Sequence, residues 1–250
     1  MTFVYGLMMF LAFIIMVLVH EFGHYTMAKL LKIPVTEFAV GFGPVIVKKK
    51  VKETTYSLRC IPLGGFCSFA KDDGIDKTMQ EAVADDILYN QSPIKRFPVL
   101  IAGACMNIIT GFIAAIIFYG NISTAWESTV LMFQMIGESF WMLLHGQFGM
   151  GDFMSIIGIV AMVAEWMNEN VRILFVMFIY MSYYMAVFNL LPIPALDGGS
   201  AITTLIEIIA RREIPFFKKY GLYVKLTFLF ALLLFGGILM IVDIFKTWIL

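Results

Sequence analysis

Residues 3–24 read FVYGLMMFLAFIIMVLVHEFGH, a long apolar run that ends in two histidines and a glutamate. Phe3 to Val19 contains no charged side chain, and the sequence HEFGH follows directly at residues 20–24. A helix needs about 20 mostly apolar residues to cross a bilayer core. We therefore predict a membrane-spanning helix over residues 3–31 with His20, Glu21 and His24 near its inner end. A cleaved signal peptide is the alternative, but a basic N-terminal region and an Ala-x-Ala site are missing.

The composition also indicates a membrane protein. The 250 residues are 60% hydrophobic and 14% charged, whereas soluble domains are about 45–50% apolar and about 25% charged. This excludes a water-soluble enzyme and a disordered chain. Lys+Arg and Asp+Glu are 18 each, so we expect no nucleic-acid partner. Three cysteines without CxxC spacing predict neither a disulfide framework nor a cysteine zinc site.

Further apolar runs predict an α-helical polytopic membrane protein with about four core transmembrane helices in one domain, residues 1–250. The additional spans are expected at 97–119, 171–191 and 223–245. Residues 120–170 are rich in aromatic side chains, but their apolar stretch is short for a span. We expect an interfacial or re-entrant helical segment there, and two more spans remain the alternative.

Lysine and arginine cluster in two connections, residues 33–95 and 198–225, and none occurs from Gly120 to Val171. The positive-inside rule places both basic connections in the cytoplasm, and the N-terminus and residues 120–170 outside. Within the first connection, residues 35–40, 45–47 and 54–59 are predicted strands. Gly41 to Pro44 and Gly64-Gly65 separate them, Lys52-Glu53 is a candidate hairpin turn, and Asp72 to Asn90 is predicted to form a loop with a short surface helix.

The sequence HEFGH at 20–24 is an HExxH motif. Histidines at positions i and i+4 of a helix share one face, so His20 and His24 can chelate one metal ion. Glu21 is then placed to act as a general base. The alternative is a pair of interfacial histidines that pack against residues 33–95.

Tetrahedral zinc with two imidazoles needs a third protein ligand. His145 lies in the outer segment, and we expect it to be a surface histidine about a membrane thickness away. Asp197, in NLLPIPALDGG at 189–199, lies at the inner end of the third predicted span and is the better candidate. Its alternative role is the N-cap of a helix that begins near Ser200.

These two motifs together resemble the site-2 protease family of intramembrane zinc metalloproteases, in its bacterial RseP-type branch. Supporting matches are GFGP at 41–44, YSLRCIPLGGF at 56–66 and the GxxxN-like segment Gly103 to Asn107. The resemblance implies that zinc is held by three ligands, His20, His24 and Asp197, with Glu21 as catalytic base. It implies that Asn107 and Asn189 hold the substrate backbone or the oxyanion, although asparagines also join helices in membranes.

The resemblance also implies a bacterial cytoplasmic membrane and a membrane-associated β-region. An exposed strand edge near Gly64 and Gly65 could bind an unwound substrate by β-augmentation, or the hairpins could only cover the site. Two features depart from the branch: residues 120–170 are too short and too apolar for its PDZ domain, and Ser155 to Ile159 lacks its Gly-Pro motif.

The sequence thus predicts a zinc-dependent intramembrane endopeptidase. Its expected partners are the lipid bilayer and single-span membrane-protein substrates, such as anti-sigma factors or remnant signal peptides. A zinc transporter or metal-sensing membrane protein is the main alternative. A membrane hydrolase of lipids or prenylated peptides and a scaffold with a relic site are less favoured, because every expected catalytic group is present.

Overall fold

The computed structural model describes residues 2–69, 86–147 and 172–249, together with residues 155, 158, 159, 162, 163, 166 and 170 between them. The helices in these parts are α1 (Thr2–Leu30), α2 (Asp86–Tyr89), α3 (Pro93–Tyr119), α4 (Ile122–Leu144), α5 (Ile173–Asn189), α6 (Asp197–Ala210) and α7 (Pro215–Ile249). The strands are β1 (Glu37–Val51) and β2 (Thr54–Ser68). The polar stretch predicted from Asp72 lies outside the described residues up to position 85.

Within the described residues, three helices are long and apolar enough to cross a membrane, over Val4–Leu30, Pro93–Tyr119 and Tyr220–Asp243. They correspond to the predicted spans at 3–31, 97–119 and 223–245. The third predicted span, 171–191, contains α5, an apolar helix of 17 residues that is shorter than these. The 23-residue α4 is not among the helices apolar enough to cross. A total of four spans and a re-entrant outer segment therefore stay predictions.

The chain divides into two compact units, and α1, α3, α5 and α7 contribute residues to both. One unit comprises residues 1–13, 108–185 and 229–250, and the other comprises residues 14–107 and 186–228. Every candidate site residue except His145 lies in the second unit. The single domain predicted for residues 1–250 stays a prediction.

In the first unit, Tyr183 of α5 packs against α3 and α4. Its ring leaves so little space that a Cβ on Gly111 would lie 2.8 Å from Tyr183 Cε1. Its hydroxyl is 2.8 Å from Thr129 Oγ1 of α4, and its ring contacts Phe133. A hydroxyl pair of this kind is a common way to join apolar helices, because each group would otherwise lack a partner.

In the second unit, β1 and β2 form an antiparallel hairpin whose turn at Lys52-Glu53 confirms the prediction. Residues 37–40 pair both with 55–58 and with 65–68, whereas residues 45–51 pair with 54–59. The predicted strand breaks were wrong, because Gly41 to Pro44 and Gly64-Gly65 lie inside the strands. Gly41 and Gly43 have φ values of 86° and 79°, so the strand bulges at this point and continues.

A buried ion pair fixes this bulge. Arg59 Nη2 donates to Glu37 Oε1 at 2.7 Å, and Arg59 Nη1 donates to the Gly43 carbonyl at 2.9 Å. The hydroxyl of Ser57 also donates to Glu37 Oε1, at 2.5 Å. The charged groups of Glu37 and Arg59 are thus paired, as buried charges must be, although Arg59 Nε has no hydrogen-bond partner among the described residues.

The predicted cytoplasmic loop at 198–225 is largely helical, because it contains α6 and the start of α7. A second buried ion pair joins α6 to the start of α3. Arg96 Nη2 donates to Glu207 Oε2, and Arg96 Nε donates to Thr204 Oγ1 at 3.0 Å. Glu207 Oε1 accepts from the Ile214 amide at 3.0 Å. This network fixes α6, whose first residue is Asp197.

We expect Arg96→Met to lower the free energy of unfolding by about 3–5 kcal/mol, because Glu207 then stays buried without its cation. Lys29→Met is the matched control: Lys29 Nζ bonds Glu53 Oε1 at 3.0 Å, but the Glu53 side chain is 60% exposed. Its loss should cost about 1 kcal/mol or less. Denaturant unfolding of both variants in one detergent measures the difference, and equal losses would contradict the assignment.

Candidate metal centre

Helix α1 places His20 and His24 one turn apart, and both are buried. Their Nε2 atoms are 3.2 Å apart, and the rings meet edge to face with centroids 4.8 Å apart. The i,i+4 spacing of the sequence therefore produces the shared face that was predicted. Two imidazole nitrogens this close favour a cation between them.

Asp197 completes the cluster. Its Oδ2 lies 2.9 Å from His20 Nε2 and 3.1 Å from His24 Nε2. Asp197 is the first residue of α6, whose N-cap is Leu196, so the alternative role of Asp197 as N-cap was wrong. Its carboxylate also lies at the positive end of the α6 dipole. Pro192 and Pro194 occupy the irregular connection after α5, as the sequence indicates.

The three ligand atoms fit a zinc ion. Two imidazoles and one carboxylate form a known ligand set for catalytic zinc, and tetrahedral coordination at about 2.0–2.1 Å separates its ligands by about 3.3 Å. The three separations here are 2.9, 3.1 and 3.2 Å. Part of the Asp197 side chain, 26%, is exposed. Among the residues the structure describes, these three side chains form the one group with suitable donors.

Helix α3 presents Val99, Gly103 and Asn107 to this cluster at i, i+4 and i+8. The Val99 carbonyl is 2.7 Å from His24 Nδ1, which must therefore donate, leaving the Nε2 lone pair for a metal. Gly103 provides space, because a Cβ there would lie 2.4 Å from His24 Nε2 and 2.7 Å from His20 Nε2. Asn107 Nδ2 is 3.4 Å from His20 Nδ1.

Strand β2 runs beside the predicted base. The Cys67 amide donates to Glu21 Oε2 at 3.0 Å. A Cβ on Gly65 would lie 3.7 Å from Glu21 Cγ, and one on Gly64 would lie 3.7 Å from Val17 Cγ1. Gly64 and Gly65 therefore lie against the turn of α1 that contains Glu21.

The LDGG segment is tightly packed. A Cβ on Gly198 would be 2.2 Å from the Leu190 carbonyl oxygen, and one on Gly199 would be 2.3 Å from that of Ile193. These close approaches leave no space for a side chain at either position beside Asp197. Asn189 is the last residue of α5 and is half-buried at the start of the same connection.

His145 is an exposed residue at the C-terminal end of α4, as expected for a surface histidine. Its Nδ1 is 2.8 Å from the Trp141 carbonyl, and the two rings are 3.9 Å apart. The three cysteines, Cys60, Cys67 and Cys105, are free thiols in the described structure.

Val99 has no predicted role from the sequence, and Gly103 has only a motif match. The signal for Gly103 was the run of small residues from Ala102 to Ala104 inside an apolar helix, which is typical of close helix crossings. No sequence signal could have found Val99, because it acts through its backbone carbonyl.

Several candidate membrane spans, and an HExxH pair that meets a distant aspartate, are features of membrane proteins whose histidine–carboxylate cluster could hold a metal ion. The chain belongs to peptidase family M50, the site-2 protease family, whose model matches residues 8–233. This family depends on zinc and acts on membrane-protein substrates within the bilayer. With three apolar helices, the chain is an integral membrane protein.

Several relatives carry the name "Putative zinc metalloprotease". One from Clostridium acetobutylicum is 40% identical over 110 residues, 43% of this chain and 29% of the relative. One from Synechocystis sp. is 40% identical over 112 residues, which are 44% of this chain and 29% of the relative. One from Chlamydia pneumoniae is 35% identical over 130 residues, which are 48% of this chain and 20% of the relative. The matches thus span less than a third of the length of these relatives.

We expect Gly103→Ala to weaken zinc binding at least about tenfold, because the new methyl group would occupy space beside both Nε2 atoms. Gly137→Ala in α4 is the matched control, since a Cβ there meets nothing within 4 Å. Zinc competition with a chelator measures both affinities. Native zinc affinity in the Gly103 variant would show that this space is not needed.

Proposed function

We propose that this protein is a zinc-dependent intramembrane endopeptidase. The observation that supports this most strongly is the convergence of His20, His24 and Asp197, with separations of 2.9–3.2 Å, beside Glu21 on the same helix. In the proposed enzyme the three converging side chains hold the zinc. The ligand set leaves one tetrahedral position for water or substrate.

Each group then has a distinct part in peptide hydrolysis. When bound, zinc polarises the scissile carbonyl and lowers the pKa of the attacking water. Glu21 takes the proton from this water and returns it to the leaving amine. The Cys67 amide holds one Glu21 oxygen at 3.0 Å and so orients the carboxylate of the base. Val99 orients His24 through its carbonyl oxygen.

The substrate must present an extended backbone, because a helix already uses its own backbone donors and acceptors. We propose that an unwound segment of a single-span protein adds to the edge of β2 near Gly64 and Gly65. The closeness of Gly65 to Glu21 supports this site. Asn189, half-buried between α5 and the LDGG segment, is a candidate to bind the substrate backbone.

The proposed orientation follows from the charge distribution. The lysines of the β1–β2 hairpin and of residues 211–225 belong to the cytoplasmic side, and the N-terminus and α4 belong outside. The active site then opens toward the cytoplasm. A bacterial cytoplasmic membrane and four core spans complete the proposal.

We expect Glu21→Gln to abolish cleavage of a tagged single-span substrate while zinc content stays native, because the amide cannot accept the proton. Co-expression of either chain with candidate substrates, followed by detection of the tagged fragment, measures cleavage. A zinc chelator should also abolish the native activity. Equal cleavage by both chains would overturn the proposal. Zinc transport retained by Glu21→Gln would instead favour a transporter or metal sensor.

We expect Asp197→Ala to lower both bound zinc and cleavage, because one of three ligands and a buried negative charge are lost. Metal analysis of the purified variant against native protein measures the stoichiometry. If the Asp197→Ala variant binds zinc at native stoichiometry, Asp197 is not a zinc ligand, even if cleavage is lost.

A further inference from the structure

The Asn107 carboxamide of α3 is fully buried, and only its nitrogen has a hydrogen-bond partner among the described residues. Its Nδ2 lies 3.4 Å from His20 Nδ1. Its Oδ1 is buried, and among the described residues it has no hydrogen-bond partner. A buried acceptor without a donor is unfavourable, so this oxygen calls for an explanation.

The oxygen and nitrogen of a carboxamide have nearly the same shape, and rotating the group by 180° exchanges them. After that rotation Asn107 Oδ1 faces His20 Nδ1. The orientation with nitrogen toward the ring fits one tautomer of His20: Nδ1 accepts, and Nε2–H donates to Asp197 Oδ2. The rotated orientation fits the other tautomer, in which Nδ1–H donates and Nε2 has a lone pair.

A histidine that binds a metal through Nε2 carries its proton on Nδ1 and donates it to a neighbouring acceptor. His24 already has such an acceptor, the Val99 carbonyl at 2.7 Å. His20 has Asn107 in the equivalent position, two helical turns further along α3. The same face of one helix thus supplies a partner for each histidine.

We propose that Asn107 is a positioning residue of the metal centre, whose Oδ1 accepts the Nδ1–H of His20 when zinc is bound. This role differs from contact with substrate or oxyanion, which the family resemblance implies for this position. It rests on the zinc-binding part of the proposed function and is independent of proteolysis. The complete burial of Asn107 supports it, since a substrate backbone would need an accessible carboxamide.

Two substitutions test the acceptor. In Asn107→Leu the new side chain is similar in size but cannot accept a hydrogen bond, and we expect about 10–100-fold weaker zinc binding. Asn107→Asp keeps an acceptor at the same place and loses the N–H donor, and we expect zinc affinity within about threefold of native. Competition against a chelator, on the full chain in detergent micelles, measures both. Asn189→Leu removes the other predicted carboxamide, and its zinc affinity should stay native.

The outcomes separate the roles. Native zinc affinity in Asn107→Leu would overturn the proposal, and reduced cleavage with that result would favour substrate binding. Equal losses in the Leu and Asp variants, or an equal loss in Asn189→Leu, would indicate general disruption and also overturn it. Because zinc affinity is measured without substrate, the proposal can stand even where no cleavage is found.

A second test leaves Asn107 and the metal centre unchanged. The sequence has three histidines, and His145→Gln leaves only the two proposed ligands. Nitrogen-15 NMR of zinc-loaded protein with labelled histidine should show Nδ1–H on both rings. An unprotonated Nδ1 on His20 would overturn the proposal.

Discussion

The close approach of α1 and α3 is the constraint on which the rest of the site depends. A Cβ on Gly23 would lie 2.4 Å from the Ala102 carbonyl oxygen and 2.9 Å from Gly103 Cα. Neither helix could approach the other in this way with a larger residue at the crossing. The contact brings the Val99, Gly103 and Asn107 face of α3 against both histidines. Without it, the HExxH motif would be two imidazoles on an apolar helix with nothing to orient them.

In the same unit, buried charged side chains form ion pairs, and these pairs fix the positions of the elements that carry them. Asp197 lies 177 residues after His20 in the chain, so no local geometry places it. The Arg96–Glu207 contact fixes α6 to the start of α3, and α3 in turn meets α1 at the glycine crossing. Asp197, as the first residue of α6, is therefore positioned by a network three turns away on its own helix. A buried pair is weak evidence for stability, but it can fix one arrangement.

Periodicity and motif spacing predicted the parts of the structure that short-range geometry determines. His20 and His24 share a face because a helix repeats every 3.6 residues, and three apolar runs are long enough to span. The strand ends were wrong because glycines at positive φ can bulge a strand as well as end it. Residues 198–225 were predicted as a cytoplasmic connection, with a helix from near Ser200 as one possibility. The contacts of Thr204 and Glu207 with Arg96 that fix α6 are absent from the sequence pattern. Asp197 was proposed as the third ligand from its predicted depth in the membrane and from the family resemblance. Only the tertiary structure shows that its Oδ2 lies 2.9 Å from His20 Nε2.

The hydrogen bond from Cys67 to Glu21 joins the proposed chemistry to the proposed substrate site. Residues on an edge strand point their backbone groups alternately toward and away from the sheet. The Thr36 amide donates to the Ser68 carbonyl, so the Ser68 backbone faces β1 and the Cys67 backbone faces outward. Glu21 thus occupies the outward-facing donor of Cys67. In the proposed reaction this bond stays in place and orients the base, so an extended substrate would pair with the part of the β2 edge near Gly64 and Gly65, which lies against the same turn of α1.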